Sequence, residues 1–288
     1  MSKKNGLVLE GGGLRGIFTA GVLDFFLEKN IEFDNCIGVS AGACHACSYL
    51  AKQHKRAFNV SVDYLDDKRY CSFYSLIKTG DLFGVDFVYN EIPNKLNPID
   101  NETFKKNHTK FQAVITNCET GEPEYPEIKD FDKDTVYVRA SSSLPLLSRM
   151  VKINENVYLD GGVSDSIPIK KSIENGNKKN VVILTRDKSY RKKQSALGKI
   201  TAVRYKKFPK FVELMNTRYS RYNEILDYID ELESKGEIFV IRPEVELTLG
   251  RIEKNRKKLF EVYNIGYETA KKNYEKLKRY LEDSNSNV

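Results

Sequence analysis

The sequence lacks any long hydrophobic run, since no apolar stretch approaches the ~20 residues that a helix needs to cross a bilayer. We therefore expect no membrane-spanning helix. Met1 to Lys4 leads directly into a short apolar strand and Glu10, which leaves no room for the apolar region of a signal peptide. The expectation that follows is a cytoplasmic protein.

Cysteine and histidine are also scarce, with five cysteines and three histidines in 288 residues. An odd number of cysteines without the regular spacing of a secreted domain predicts reduced thiols. Cys44 and Cys47 form a C-x-x-C, but no second pair of ligands at metal spacing accompanies them. We therefore predict no metal site and no redox motif.

Positive charge, by contrast, is concentrated in one segment. The net charge is +7, and Lys188 to Arg221 alone contains eleven Lys and Arg residues against one acid, Glu213. The apolar side chains interleaved with these cations are Leu197, Ile200, Tyr205, Phe208 and Phe211. Such a patch suits an anionic surface, either lipid headgroups or nucleic acid, although a charge run is usually only a solvated face.

The stretch from Gly38 to Gly42 has the Gly-X-Ser-X-Gly spacing of a nucleophile elbow, in which a serine lies on a strained turn between strand and helix. Glycines two residues before and after the serine remove side chains that would collide there. Phe33 to Val39 can supply the strand, and a helix running to about Ala57 is expected to follow. The spacing alone is a weak signal, but with these flanks it indicates Ser40 as a nucleophile.

A second glycine motif follows the first strand, because Gly6 to Glu10 is typical of a buried strand, Gly11 to Gly16 of a loop and Ile17 to Glu28 of a helix. The loop satisfies G-x-G-x-x-G, but a dinucleotide site needs an acid at the end of the second strand, where this chain has Ser40. Glycine N–H groups at the start of a helix can instead form an oxyanion hole. Strands joined by one helix are parallel neighbours, so the loop and Ser40 should meet at one sheet edge.

The remaining chain is predicted to be a mixture of strands and helices. Further strands are expected at Phe111 to Thr116, Thr135 to Val138, Tyr158 to Leu159, Asn180 to Thr185 and Glu237 to Ile241. Tyr64 to Leu96 has no sustained period and is predicted to be irregular. Apolar residues three or four apart predict a long helix from Glu253 to Glu282, with Asp283 to Val288 disordered.

A serine nucleophile needs a positioned base. The three histidines, His45, His54 and His108, all precede Asp160, so the Ser, Asp, His order of an α/β-hydrolase cannot be built with this aspartate. We expect His45 and His54 on the elbow helix, pointing away from Ser40, and His108 in a lysine-rich surface loop. A Ser–Asp dyad is the remaining arrangement.

Three motifs together resemble the signatures of the patatin-like phospholipases, in the same order and at similar spacing. They are Gly-Gly-Gly-Leu-Arg-Gly at 11–16, Gly-Val-Ser-Ala-Gly at 38–42 and Asp-Gly-Gly at 160–162. Ala140 to Pro145 also resembles a segment of this family, so the similarity covers about Gly6 to Ile173, and bacterial intracellular members look closest. Leu249-Gly250-Arg251 is similar to the tail of some of those members.

The resemblance implies a three-layer α/β/α fold with a mainly parallel central sheet and a helical C-terminal region. It implies a catalytic core over residues 5–175, and a region over 176–288 that completes the sheet, adds basic helices and does not fold independently. In the implied lipid acyl hydrolase, of phospholipase A or lysophospholipase type, Ser40 attacks an ester and Asp160 accepts its proton. The implied oxyanion-hole loop comprises Gly11, Gly12, Gly13, Leu14, Arg15 and Gly16, the elbow glycines are Gly38 and Gly42, and Gly161 and Gly162 follow the aspartate.

Two alternatives stay open: an acyltransferase that uses the same acyl-enzyme at Ser40, and a lipid-binding or regulatory protein with little turnover. Asp165 is a rival carboxylate, although its position does not match the family's aspartate. The implied partner is a phospholipid or other acyl-ester lipid, with peripheral contact at an anionic inner membrane face, and nucleic acid is disfavoured. The resemblance implies neither a metal nor another cofactor.

Overall fold

The computed structural model describes residues 4–250 and 252–282. The predicted disordered tail, Asp283 to Val288, lies outside the described residues, as does Arg251 of the tail-like motif. Among the residues that are described, no helix combines the length and the apolar content needed to cross a bilayer.

Strands and helices alternate through the first half of the chain, and long helices dominate the second half. The strands are β1 (Asn5–Leu9), β2 (Asn35–Val39), β3 (Lys110–Asn117), β4 (Pro123–Glu124), β5 (Val151–Ile153), β6 (Asn156–Asp160), β7 (Lys179–Ile183) and β8 (Ile238–Ile241). The helices are α1 (Ile17–Glu28), α2 (Ala41–Leu50), α3 (Arg56–Val62), α4 (Phe73–Thr79), α5 (Asn101–Lys106), α6 (Phe131–Ser141), α7 (Ile169–Glu174), α8 (Gly198–Arg204), α9 (Pro209–Ser234) and α10 (Arg256–Glu282). Short 3₁₀ helices span Gly13–Gly16 and Gly161–Val163, and a π-helix spans Phe87–Leu96.

The strands of the described chain form one eight-stranded sheet in the order β5-β6-β3-β2-β1-β7-β8, with β4 paired to β3 outside this path. The central strands, from β3 across β2, β1 and β7 to β8, are all parallel. β6 joins β3 antiparallel, and β5 follows it antiparallel. The predicted α/β fold with a mainly parallel central sheet is confirmed.

Helices cover both faces of the sheet, because the buried side chains of its central strands alternate between two cores. Leu7 and Leu9 of β1 belong to the core that contains α1, α2 and α10. Val8 points the other way and packs with Leu226 and Ile229 of α9. The result is a three-layer α/β/α arrangement in which β7, β8, α9 and α10 all contribute to the shared cores.

The last helix packs directly onto the first. A Cβ atom at Gly21 of α1 would lie 2.0 Å from the carbonyl oxygen of Tyr263, and one at Gly266 of α10 would lie 2.0 Å from the carbonyl oxygen of Phe18. The two helices therefore cross so closely that only glycine fits at these positions. Tyr263 also donates a hydrogen bond of 2.7 Å to Asp24 in the buried contact.

The predicted strand at Thr135 to Val138 is wrong, because this segment lies inside α6. Its β-branched and aromatic residues suggest a strand, but the Asp130 side chain caps the helix by accepting from the N–H of Asp132. Burial of Phe131 and Val138 on the sheet then stabilises the helix over the local preference of the segment.

Three other expectations are corrected by the structure. The elbow helix ends at Leu50 rather than near Ala57, since Lys52 and Lys55 both adopt positive φ. The segment predicted to be irregular contains α4 and the π-helix. Tyr205 and Phe211, expected among the surface cations, are buried in a cluster with Cys118 and Leu159.

Candidate active site

Ser40 lies on a sharp turn between the end of β2 and the start of α2. Its φ is 54° and its ψ is −122°, a conformation that costs energy for a residue with a side chain. A Cβ at Gly38 would lie 2.7 Å from the Cα of Ala43, and one at Gly42 would lie 2.6 Å from the carbonyl oxygen of Leu9. The backbone therefore passes too closely on both sides of Ser40 for any residue but glycine.

The strained turn is held by the end of α6 and the residues immediately after it. The N–H of Ser40 donates to Ser141 Oγ at 2.9 Å, and Ser141 is fully buried. The carbonyl oxygen of Ser143, two residues later, accepts from the N–H of Asp160 at 2.8 Å. One short segment thus fixes the backbone of both predicted catalytic residues. Sequence reasoning noted this segment only as a family resemblance and missed the role of its serines.

Asp160 ends β6 and is almost completely buried. Its Oδ1 accepts from the N–H of Gly162 at 2.8 Å, so the tight turn after the strand orients the carboxylate. A Cβ at Gly161 would lie 2.0 Å from the carbonyl oxygen of Val114, which excludes any side chain there. Asp160 and Ser40 line one cavity, which also contains the glycine loop.

Asp165, the rival carboxylate, lies elsewhere. It accepts a hydrogen bond of 2.8 Å from the hydroxyl of Tyr125 and lines a neighbouring cavity to which Ser40 does not contribute. Burial raises the pKa of Asp165, and the Tyr125 hydrogen bond opposes the rise. The geometry therefore favours Asp160 over Asp165 as the partner of Ser40.

His108 is placed as expected, whereas the expectations for His54 and His45 are each corrected, because α2 ends before His54 and His45 does not point away from Ser40. His108 is exposed, 3.8 Å from Glu32, and His54 lies in the exposed loop beyond α2. His45 lies on α2 and, contrary to expectation, lines an apolar cavity that Ser40 also lines. Burial lowers the pKa of His45 to about 4, and its Nε2 has no hydrogen-bond partner among the described residues. A base this weak is poorly suited to deprotonate a serine.

The glycine loop lies against the elbow. A Cβ at Gly11 would lie 2.9 Å from the Cβ of Ser40, and Gly13 has a positive φ of 58°. The N–H of Gly12 has no acceptor in the described part of the chain. Arg15 is buried, with its Nε 3.4 Å from Thr185 Oγ1. Gly11, Gly12 and Gly13 of the loop thus line the same cavity as Ser40.

Glu10 and Tyr222 support this loop and were not predicted as site residues. The carboxylate of Glu10 accepts from the hydroxyl of Tyr222 and from both the N–H and the hydroxyl of Thr185. Burial, and then the neighbouring Glu10, raises the pKa of Tyr222. The position of Glu10, an acid at the end of a buried strand, could have marked it as a site residue. Tyr222 could not have been found in this way, because 212 positions separate it from Glu10 and no local pattern connects them.

Two cavities of different character meet at Ser40. The first is polar and contains Glu10, Asp160 and several cationic side chains. The second encloses about 700 Å³ including its open mouth, and is mainly apolar. Its apolar lining comprises Leu14, Ala41, Ala57, Val60, Tyr70, Phe83, Val88, Tyr89 and Leu144.

A serine on a strand–turn–helix elbow, with a buried carboxylate and a glycine loop beside it, is an arrangement typical of α/β serine hydrolases. The family model described as patatin-like phospholipase matches residues 7–172, and the chain belongs to this family. Membership makes it a lipid hydrolase that acts on ester bonds. A second model, a domain of unknown function (DUF6363), matches residues 208–282.

The chain is 28% identical over 250 residues to the uncharacterized protein YjjU of Escherichia coli (strain K12), covering 82% of this chain and 68% of that protein. It is 26% identical to the probable lipid hydrolase 463L of Invertebrate iridescent virus 6, covering 60% of this chain and 65% of the viral protein. Among solved structures, VipD from Legionella pneumophila shares the fold, with a TM-score of 0.50 and 14% identity over 95% of this chain and 67% of that one. The predicted family is confirmed, whereas the division at residue 175 stays a prediction.

Proposed function

We propose that this protein is a serine acyl hydrolase of phospholipase A or lysophospholipase type, with Ser40 as nucleophile and Asp160 as its base. The observation that carries the proposal is the meeting of two cavities at Ser40. The polar cavity contains the carboxylate and the glycine loop, and the apolar cavity has space for an acyl chain.

The chemistry follows from these groups. Asp160 takes the proton of the Ser40 hydroxyl while Oγ bonds to the ester carbonyl carbon. The carbon–oxygen bond to the alcohol then breaks, and the alcohol leaves with the proton from Asp160. Water repeats the sequence on the acyl-enzyme, giving its proton to Asp160 and releasing the fatty acid and a free Ser40.

The negative oxygen of each tetrahedral intermediate needs donors that are already in position. In this proposal the N–H groups of Gly12, Gly13 and Leu14 supply them. Hydrogen bonds of the Thr185 hydroxyl with the Gly11 carbonyl and with Arg15 Nε restrain the loop, so the donors keep their orientation when charge develops.

We also propose peripheral contact with an anionic membrane. Leu197, which immediately precedes α8, and Ile200 and Val203 on α8 are exposed by 48%, 57% and 75%. Lys193, Lys206 and Lys207 lie near them in the chain and are exposed as well. Apolar residues among cations are the composition that enters a headgroup layer. The hydroxyl of Tyr205 bonds to the N–H of Leu146, which connects α8 to the segment beside the cavities.

The direct test is a fluorophosphonate probe combined with total cellular lipids. The wild type should bind the probe and release fatty acids, and Ser40→Ala should do neither while unfolding at an unchanged temperature. Labelling of Ser40→Ala would place the nucleophile elsewhere. Transfer of acyl chains to added lysolipid in preference to water would favour an acyltransferase, and the absence of a burst with an activated ester would favour a binding protein.

A further inference from the structure

A group of cationic side chains lines the polar cavity together with Ser40 and Asp160. They are Arg15, Arg186, Lys192 and Arg218. Arg15 belongs to the glycine loop, but the other three lie outside the residues that the patatin-like model matches, 7–172. We call Arg186, Lys192 and Arg218 the cation cluster. The part of the chain outside that model thus contributes charge to the reaction cavity.

The cation cluster is fixed in place by aromatic rings and backbone bonds. The guanidinium of Arg186 lies 4.2 Å from the centre of the Tyr190 ring, and Lys192 Nζ lies 4.3 Å from that of Tyr222. The two tyrosine rings meet edge to face at 6.0 Å. Each cation therefore packs against a ring that contacts the other ring, and the Tyr222 hydroxyl is in turn hydrogen-bonded to Glu10.

The loop that carries Lys192 is bound to α9 as well. The N–H of Lys192 donates to Asn223 Oδ1 at 2.8 Å, and Asn223 Nδ2 donates to the carbonyl of Lys192 at 3.0 Å. Arg218, one turn earlier on α9, donates through Nε to the carbonyl of Gly162, beside Asp160. The cluster is a preformed site whose cations do not depend on a flexible loop for their position.

The charge of the cavity is positive overall. Its cations are the cluster and Arg15, and its carboxylates are Glu10 and Asp160. Glu10 is engaged by Tyr222 and Thr185, and Asp160 is assigned to proton transfer. The ion pair of Arg186 with Glu246 is 3.7 Å long and Glu246 is 74% exposed, so water screens it. Even with both cavity carboxylates ionised, an anion is favoured here.

We propose that the cation cluster binds the phosphate of the alcohol that leaves when the acyl-enzyme forms. This inference rests on the proposed function and assigns the residues, all outside the matched 7–172, that would set a preference for esters whose leaving alcohol carries a phosphate group. The acyl chain occupies the apolar cavity, the ester lies at Ser40, and the phosphate lies in the polar cavity. Guanidinium and ammonium groups suit this ligand, because a phosphate accepts several charge-assisted hydrogen bonds at once.

The test compares two esters with the same acyl chain, monoacylglycerol 3-phosphate and monoacylglycerol, both kept below the concentration at which they aggregate. The ratio of their kcat/KM values on one preparation is independent of the fraction that is folded. We expect the wild type to favour the phosphate ester at least tenfold. Arg186→Gln and Lys192→Gln should each lower this preference about tenfold, whereas Lys192→Arg should retain it.

A matched control is Lys179→Gln. Lys179 Nζ also lies over a tyrosine ring, 4.5 Å from the centre of the Tyr280 ring. Lys179 is the first residue of β7, at the end of the strand opposite to the end near which Ser40 lies. This variant should keep the wild-type ratio. If both esters are cut without preference, or if Arg186→Gln and Lys192→Gln keep the preference, the phosphate subsite is wrong while the serine hydrolase stands. If neither ester is cut and no probe labels Ser40, the proposed function itself fails.

Soluble phosphates separate a lipid leaving group from free phosphate as the ligand. Glycerol 3-phosphate should inhibit cleavage of monoacylglycerol competitively, and Lys192→Gln should weaken that inhibition about tenfold. Inorganic phosphate at the same ionic strength should inhibit much less. Equal inhibition by inorganic phosphate would overturn the assignment to a leaving alcohol in favour of a site for free phosphate.

Discussion

Ser40 and Asp160 reach the same cavity from strands that are separated by only one other strand. Asp160 pairs with Ile115 of β3, and the preceding residue of β3, Val114, pairs with Val39, which precedes Ser40. The serine and the aspartate therefore lie at matching heights, two strand spacings or about 10 Å apart in the backbone. Side chains directed toward each other can bridge that separation, and no histidine lies between these strands.

Asp160→Asn tests the base. Asparagine keeps the shape of the side chain but cannot accept the proton of Ser40, so kcat on a soluble ester should fall by about 10²–10⁴. The control is His108→Gln, which changes an exposed side chain and should leave kcat near the wild-type value. A severe loss in the histidine variant with a mild loss in Asp160→Asn would contradict the dyad.

Ser141→Ala tests the support of the elbow. The change leaves the buried N–H of Ser40 without its acceptor, which should cost about 1–3 kcal/mol of the free energy of unfolding. Since the strained turn then loses its restraint, kcat should fall as well. Urea unfolding and ester kinetics measure both effects, and Ser148→Ala in the same segment is the control. Unchanged stability in Ser141→Ala would show that another group satisfies this N–H.

His45 makes stability depend on pH. Its folded pKa is about 4, below the ordinary value of 6.5, because burial disfavours its charged form. Between these values the unfolded chain binds a proton that the folded chain does not, so stability is complete above pH 6.5 and falls as the pH drops toward 4. The loss from this group is at most ~3 kcal/mol.

The check is urea unfolding of the wild type and of His45→Gln across pH 4 to 7. The quantity compared is the slope of the free energy of unfolding against pH, because a constant effect of the substitution on packing does not change this slope. The slope should be smaller in His45→Gln, and the exposed His108→Gln should match the wild type. Equal slopes in all three proteins would mean that His45 titrates normally in the folded state.

Charge reversal tests the membrane surface. At about 1 kcal/mol for each basic residue near an anionic leaflet, changing Lys193, Lys206 and Lys207 to Glu should weaken binding to anionic vesicles at least tenfold. Lys192 is left intact because it lines the reaction cavity. Added salt should weaken wild-type binding in the same direction.

Vesicle sedimentation measures binding, and the ratio of activity on vesicles to activity on a soluble ester measures its effect. Neutral vesicles are the control. If neither added salt nor the three charge reversals changes the affinity for anionic vesicles, the exposed cations form only a solvated face. Tighter binding of duplex DNA or RNA than of anionic vesicles would favour nucleic acid as the ligand.

Local patterns predicted the elements that surround Ser40, because glycine spacing and buried strands act over a few residues. The β1–loop–α1 and β2–elbow–α2 units both appear in the structure. The segment at 135–138 was mispredicted since its helix depends on packing against a distant strand, β3. The contacts of Glu10 with Tyr222, and of Ser40 with Ser141, join residues 212 and 101 positions apart, beyond the reach of any periodic signal.

The packing of α10 onto α1 sets an order of events during synthesis. Asp24 leaves the ribosome 239 residues before Tyr263, the side chain that hydrogen-bonds to it in the finished core. At 5–20 residues per second, this delay is roughly 10–50 s. Through that interval the apolar face of α1 has no partner from α10, and for the first part of it β1 has no β7 beside it. A nascent copy therefore exposes this face of α1 to chaperones until α10 has left the ribosome, and the core between the two helices closes only then.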